Sequence, residues 1–206
     1  MKNDAMIREK AVEFLLLQRP GSFFALGLLD LRRARGDFLV DSLQGFASCT
    51  GFLPKVLPAG LTVRSGNTRL ILYDASQPLA RRNFTIAHEI GHLLLCHSGE
   101  ETKHAREERE ANRFAAEVLL PRIAVAGWER REGQRMDAEE MRRQFSASLP
   151  ACRRRREELD RDPLPVSEAE AALSALLFSA LPGRRGGEMP HGPYEGIGSI
   201  AARRFR

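Results

Sequence analysis

The sequence predicts an α+β fold in which a small β-sheet packs against two helices and a helical C-terminal segment follows. Three patterns carry that expectation. Residues 61–64 and 68–73 alternate apolar and polar side chains on either side of Ser65-Gly66-Asn67, which has the turn chemistry of a β-hairpin. Ile86, Ala87, Ile90, Leu93, Leu94 and Leu95 recur at helical spacing. Residues 107–121 read as a second helix, acidic at its start and closed by Pro121.

The remaining elements follow in chain order. Residues 6–35 read as helical, ending near Gly36, and 37–40 as a short extended stretch. The hairpin then leads into a helix over 82–95, with Thr85 placed to cap its start. After Pro121 the chain turns polar. Residues 137–145 and 150–159 read as two helices around Ser146-Ala147-Ser148-Leu149, and 169–181 as one more apolar helix docking on the core. From Pro182 onward Gly, Pro and Arg dominate, the composition of a flexible tail. The organisation expected is a main domain over 1–125, a helical segment over 126–181 and a tail over 182–206.

Composition bounds the class. At 206 residues and 43% hydrophobic content, the chain can bury one substantial core as a soluble globular protein. The apolar runs 14–17 and 23–29 are split by Gln18-Arg19-Pro20, and neither approaches the roughly 18 residues that span a bilayer. Glu13 interrupts the first run, which argues against a signal peptide. Cys49, Cys96 and Cys152 are odd in number and lack metal-type pairing, as suits a reducing cytoplasm.

The chemistry concentrates in His88-Glu89-Ile90-Gly91-His92. Two histidines four apart on a helix point the same way, about 6 Å apart, so both imidazoles can reach one metal ion. Glu89 lies about 100° round the helix, near enough to hold a water without being a ligand. The pentapeptide alone recurs by chance in on the order of one in a few hundred chains of this size, so context decides. A buried apolar helix carrying two histidines and a carboxylate is better explained by metal than by solvation.

A hydrolytic zinc site needs a third protein ligand. The helix over 107–121 offers several carboxylates. Glu108 shares a face with Ala111, Asn112 and Ala115, where small side chains allow close approach, whereas Glu110 points about 200° away, toward solvent. Glu108 is therefore the expected ligand, with Asn112 one turn on as a hydrogen-bond partner for a liganding histidine. Cys96 continues the histidine spacing, but one straight helix does not wrap three donors around one ion, so a packing role is expected. Tyr73, His97 and His104 are the candidates for an oxyanion donor. Strand-end packing is the simpler role for the tyrosine, and a place in the loop for the two histidines.

The stretches 82–95 and 108–121, Arg-Asn-Phe-Thr-Ile-Ala-His-Glu-Ile-Gly-His-Leu-Leu-Leu and Glu-Arg-Glu-Ala-Asn-Arg-Phe-Ala-Ala-Glu-Val-Leu-Leu-Pro, resemble the ImmA/IrrE family of bacterial metallo-endopeptidases, relatives of the gluzincins. The resemblance covers residues 70–122 strongly, 135–160 moderately and the region before 60 weakly. It implies a zincin-like fold and places the family's metal-binding glutamate on Glu108. It also implies one zinc ion on His88, His92 and Glu108, Glu89 as the base, and a protein substrate, a helix-turn-helix transcriptional repressor. Nitrogen and carboxylate ligands also accept manganese or iron. By analogy with zincins, the strand over 70–73 is a candidate to pair with an extended substrate.

Two other functions compete. One is a module of the same fold that binds a repressor without cutting it. The other is a DNA-binding regulator, since residues 137–160 are placed like a helix-turn-helix and Arg153-Arg154-Arg155-Arg156 could seek phosphates. The net charge of +5 does not favour direct nucleic-acid binding, because many charges alternate in sign as on solvated helix faces.

Overall fold

The structure, a computed structural model, describes residues 4–51, 58–161 and 165–179. The expected tail, 182–206, lies outside them. The first helix, α1, spans Asp4–Gln18 and stops where Arg19 adopts a left-handed φ of 50° ahead of Pro20. This corrects the single long helix expected over 6–35. Pro20 cannot continue the helix, and the chain instead restarts as α2, Phe23–Gly27, capped by the Ser22 side chain, and a single 3-10 turn at Leu31–Arg33.

Strand β1, Leu39–Ser42, leads into a helix the sequence pattern did not mark, α3, Leu43–Thr50, whose cap is the Ser42 hydroxyl. Strands β2, Gly60–Ser65, and β3, Thr68–Tyr73, form the expected hairpin. The sheet order is β1-β3-β2, with β1 parallel and β2 antiparallel to β3. Ile71 and Tyr73, on one face of β3, join the main core.

Helix α4, Leu79–Leu94, begins behind Pro78, six residues before Thr85. Thr85 is therefore a buried mid-helix residue, not a cap. Helix α5, His104–Leu119, packs against α4, and Gly91 sets how close they come. A Cβ there would lie 3.1 Å from Phe114 and 3.3 Å from the Ala111 backbone. Helix α6, Arg122–Glu132, also escapes the sequence pattern. Its apolar stripe, Ile123, Ala124, Val125 and Trp128, is short and set among arginines, and Gly133 ends it at φ 66°. Helices α7, Ala138–Gln144, and α8, Leu149–Leu159, start at the side-chain caps Asp137 and Ser148, and α9, Glu168–Phe178, starts with a capping box of Ser167 and Glu170.

One apolar cluster joins residues from α1 to α9. Phe14 meets Phe114 at 6.1 Å between ring centroids, and Phe23 stacks on Phe178 at 5.5 Å. Beside it runs a buried ionic web. Glu117 of α5 receives Arg155 of α8, Arg113 of its own helix and Arg8 of α1, while Glu170 of α9 receives Arg122 of α6 at 2.9 Å. Glu117 and Arg155 are each 1% exposed, so this pairing is interior. Of the four consecutive arginines, Arg155 is thus buried and Arg156 is held by Glu129 and Asp160; Arg153 and Arg154 face solvent. Among the described residues, no helix is long and apolar enough to cross a membrane.

Candidate metal centre

Helices α4 and α5 lie side by side, so residues on their facing ridges meet. His88 and His92 on α4 and Glu108 on α5 converge, with Nε2 of the two histidines 2.9 Å apart and the Glu108 oxygens 3.4 Å from His88 Nε2 and 3.2 Å from His92 Nε2. Among the described residues this is the one group of three such side chains whose ligating atoms all lie within 4.8 Å of one another. A tetrahedral ion with bonds of about 2.0 Å needs donor atoms about 3.3 Å apart, which these separations approach.

The outer partners of the rings test that fit. His88 Nδ1 lies 3.1 Å from Asn112 Oδ1, which can only accept, so Nδ1 carries the proton and Nε2 keeps its lone pair. His92 Nδ1 lies 2.9 Å from Nδ1 of His97, whose Nε2 is 3.2 Å from the Glu110 carboxylate. The carboxylate fixes the His97 proton on Nε2, which leaves its Nδ1 to accept from His92 Nδ1. Both Nε2 lone pairs then face the Glu108 carboxylate with no proton between them. A divalent cation satisfies such a donor set, and the residues fit the metal.

Several of these placements differ from expectation. Glu110 does not point to solvent; it is 5% exposed, because the connection between α4 and α5 folds back over that side of α5. That connection is pinned by Glu107, which accepts N–H bonds from Ser98 at 2.9 Å and Gly99 at 3.0 Å. Chiefly the Ser98 bond holds the Glu107 carboxyl down at about 2. His97 is likewise buried, not an ordinary loop histidine. The available signal was a histidine just beyond an apolar helix end, five residues after the candidate ligand His92. His104 opens α5, exposed, with Nδ1 3.9 Å from Glu108. Cys96 is exposed at the end of α4 with φ 51°, rather than packed beneath the helix. Tyr73 sits in the core, 8% exposed.

Glu89 stands on the flank of the histidine pair that faces the sheet. Thr62 of β2 donates its hydroxyl to Glu89 Oε2 at 2.7 Å, a partner that sequence periodicity did not suggest. Burial raises the Glu89 pKa, against the Thr62 hydrogen bond and the nearby His88, which lower it. The strand can come this close because Gly60 has no side chain: a Cβ there would sit 2.3 Å from Thr85 Cγ2 and 3.5 Å from Glu89 Cγ. His92, desolvated and next to His88 and His97, has its pKa pushed down to about 4, which keeps it neutral as a ligand must be.

The strand beside Glu89 is an edge strand of the sheet among the described residues. β3 is paired on both sides, which corrects the expectation that 70–73 is the edge. Asp74 N–H bonds to Ala59 O, so by antiparallel alternation residues 61, 63 and 65 face β3 while 60, 62 and 64 present N–H and C=O groups to the other edge of β2, which pairs with no strand among the described residues.

In comparisons with known proteins, no curated relative and no solved structure matches. The family model described as the IrrE N-terminal-like domain, a peptidase family, matches residues 54–156, which contain the β2–β3 hairpin, α4 and α5, α6, α7 and most of α8. The His-Glu-x-x-His helix, the glutamate helix and the strand beside them all fall within that match, and the chain belongs to the IrrE N-terminal-like peptidase family.

Proposed function

We propose that the chain is a zinc-dependent endopeptidase that hydrolyses a peptide bond in an extended segment of a protein substrate, a helix-turn-helix transcriptional repressor. The observation that carries the hydrolytic reading is the convergence of two proton-free imidazole nitrogens and a carboxylate, with a second, desolvated carboxylate, Glu89, beside them. The repressor assignment rests on the family resemblance.

Each residue then has a task. His88, His92 and Glu108 would hold the zinc, which when bound supplies Lewis acidity at the scissile carbonyl and a lower pKa for the attacking water. The open edge of β2 offers the N–H and C=O groups of residues 60, 62 and 64 to the substrate backbone as an added strand. Glu89 takes a proton from the water as its oxygen bonds to the carbonyl carbon, then delivers it to the leaving nitrogen as the C–N bond breaks. Its raised pKa brings it nearer neutrality, where a carboxylate both accepts and returns a proton efficiently. Thr62 aims the carboxylate, and Gly60 leaves room for the strand to approach.

The test compares the native protein with Glu89→Gln for zinc content and for cleavage of purified helix-turn-helix repressors, beginning with any encoded beside its gene. Both proteins should hold one zinc, and the variant should cut at least about 100-fold more slowly. Equal cutting would remove Glu89 from the reaction. Zinc without cutting by either protein would favour a binding module, and absence of zinc from both would break the ligand assignment.

A further inference from the structure

The ridges that bring the ligands together continue past them. His92, His88, Phe84 and Ala80 follow one another at four-residue steps on α4, as do Glu108, Asn112 and Ala116 on α5. Below the metal centre the seam between these ridges opens into a cleft of about 660 Å³, closed on its far side by α8 and the turn before it. Asn112 lines the cleft and bonds His88, and the Phe84 ring lies 6.2 Å from the His88 ring, so the cleft borders the metal centre. The volume is ample for more than one side chain.

The lining has two chemistries. Phe84, Ala116, Leu119, Ala147, Pro150 and Ala151 give it an apolar floor. Arg81, Arg109, Arg113, Arg154 and Arg155 also line it, against Asp4 and Glu158. Arg113 and Arg155 are committed to Glu117 and Glu158, and Arg154 reaches Glu158. Arg81 and Arg109 are exposed and, among the described residues, make no ion pair or hydrogen bond. They stand on α4 and α5, on the two sides of the cleft.

We propose that this cleft selects, in the polypeptide cut at the metal centre, a segment that combines an apolar side chain with a carboxylate, the first seated on the floor and the second paired with Arg81 and Arg109. The proposal rests on the peptidase reading for its place in function. The chain's own residues 182–206 are unsuited as occupant by sign: Arg184, Arg185, Arg203, Arg204 and Arg206 outnumber Glu188 and Glu195. A nucleic acid is disfavoured by the apolar floor and by the two carboxylates of the lining.

The experiment separates binding from cutting. Two fluorescein-labelled pools of otherwise random dodecapeptides, with a central leucine flanked by glutamates in one and by lysines in the other, are titrated by anisotropy against zinc-loaded full-length Glu89→Gln. The same titrations use Glu89→Gln carrying Arg81→Glu and Arg109→Glu. The acidic pool should bind about 10-fold more tightly than the basic pool, and the charge reversal should abolish or invert that preference. Equal binding of the two pools, or a preference that survives the reversal, overturns the proposal whether or not the native protein cuts peptides. Binding of a duplex DNA oligomer that the reversal removes, without an acidic-peptide preference, assigns the cleft to nucleic acid and overturns it too. Native protein is assayed in parallel on a peptide library. Selective binding without hydrolysis there leaves the cleft intact and fails the peptidase reading, and hydrolysis without acidic selection does the reverse.

Discussion

Replacing His97 with alanine should loosen the metal without unfolding the protein. His97 is 5% exposed and lies outside the three-residue donor set; its Nδ1 accepts the hydrogen bond from His92 Nδ1–H at 2.9 Å and its Nε2–H donates to Glu110 at 3.2 Å. Without it, His92 loses the partner that fixes both its ring orientation and its tautomer. Its Nε2 can then carry the proton, which must be displaced before metal binds. Loss of such a partner typically costs 10–100-fold in metal affinity, or about 1.4–2.7 kcal/mol. Glu110 keeps the Arg106 guanidinium 3.7 Å away, so the buried carboxylate is not stranded. Zinc affinity would be read by competition with a chromophoric chelator at pH 7. Asn112→Ala should weaken binding to a similar degree through His88, whereas His104→Ala, at an exposed position, should change it by less than about 3-fold. His97→Gln should recover part of the loss, since an amide can accept from His92 and donate to Glu110 at once. Unchanged affinity in His97→Ala, beside loss of zinc in His88→Ala, would refute the relay.

Three other outcomes are expected. Thr62→Val removes a hydrogen bond that lowers the Glu89 pKa, so the acid limb of kcat/KM against pH should move upward; an unmoved limb would show that Thr62 does not aim the base. Glu107 has a folded pKa near 2 against an ordinary 4.5, so the stability it contributes is complete above 4.5 and is lost as pH falls toward 2; Tm measured over that window should decline less steeply in Glu107→Gln. Arg155→Ala takes from buried Glu117 its nearest partner while Arg113 and Arg8 remain, and should cost about 1.5–3 kcal/mol in urea denaturation; an unchanged midpoint would contradict an interior ion pair.

Local signals made the centre of the fold legible. The hairpin followed from alternation around a Ser-Gly-Asn turn, and α7, α8 and α9 start within a residue or two of where the pattern put them, because Asp137, Ser148 and Ser167 cap them. Glu108 and Asn112 could be placed by helical faces alone, since an ideal helix fixes which side chains share a ridge. What depended on tertiary folding was not legible. Glu110 looked solvent-facing because nothing local indicates that the α4–α5 connection folds over it. His97 and Thr62 act through contacts made across that connection and across the sheet, and neither has a periodicity that marks it. The long first helix failed at Pro20, where an apolar pattern on both sides outweighed a local break that in fact decides the backbone.

The ionic web has a consequence for anyone wishing to isolate the family-matched portion. A fragment cut to the family-matched residues, 54–156, would keep every ligand and the base, yet it would discard Arg8 and Phe14 from one flank of α5 and Glu170 from the neighbourhood of Arg122. The helix that carries Glu108 would then present Phe114 and Glu117 to water. Minimal versions of the chain should therefore keep α1 through α9, and a shorter one is expected to aggregate through α5 before metal binding can be assayed.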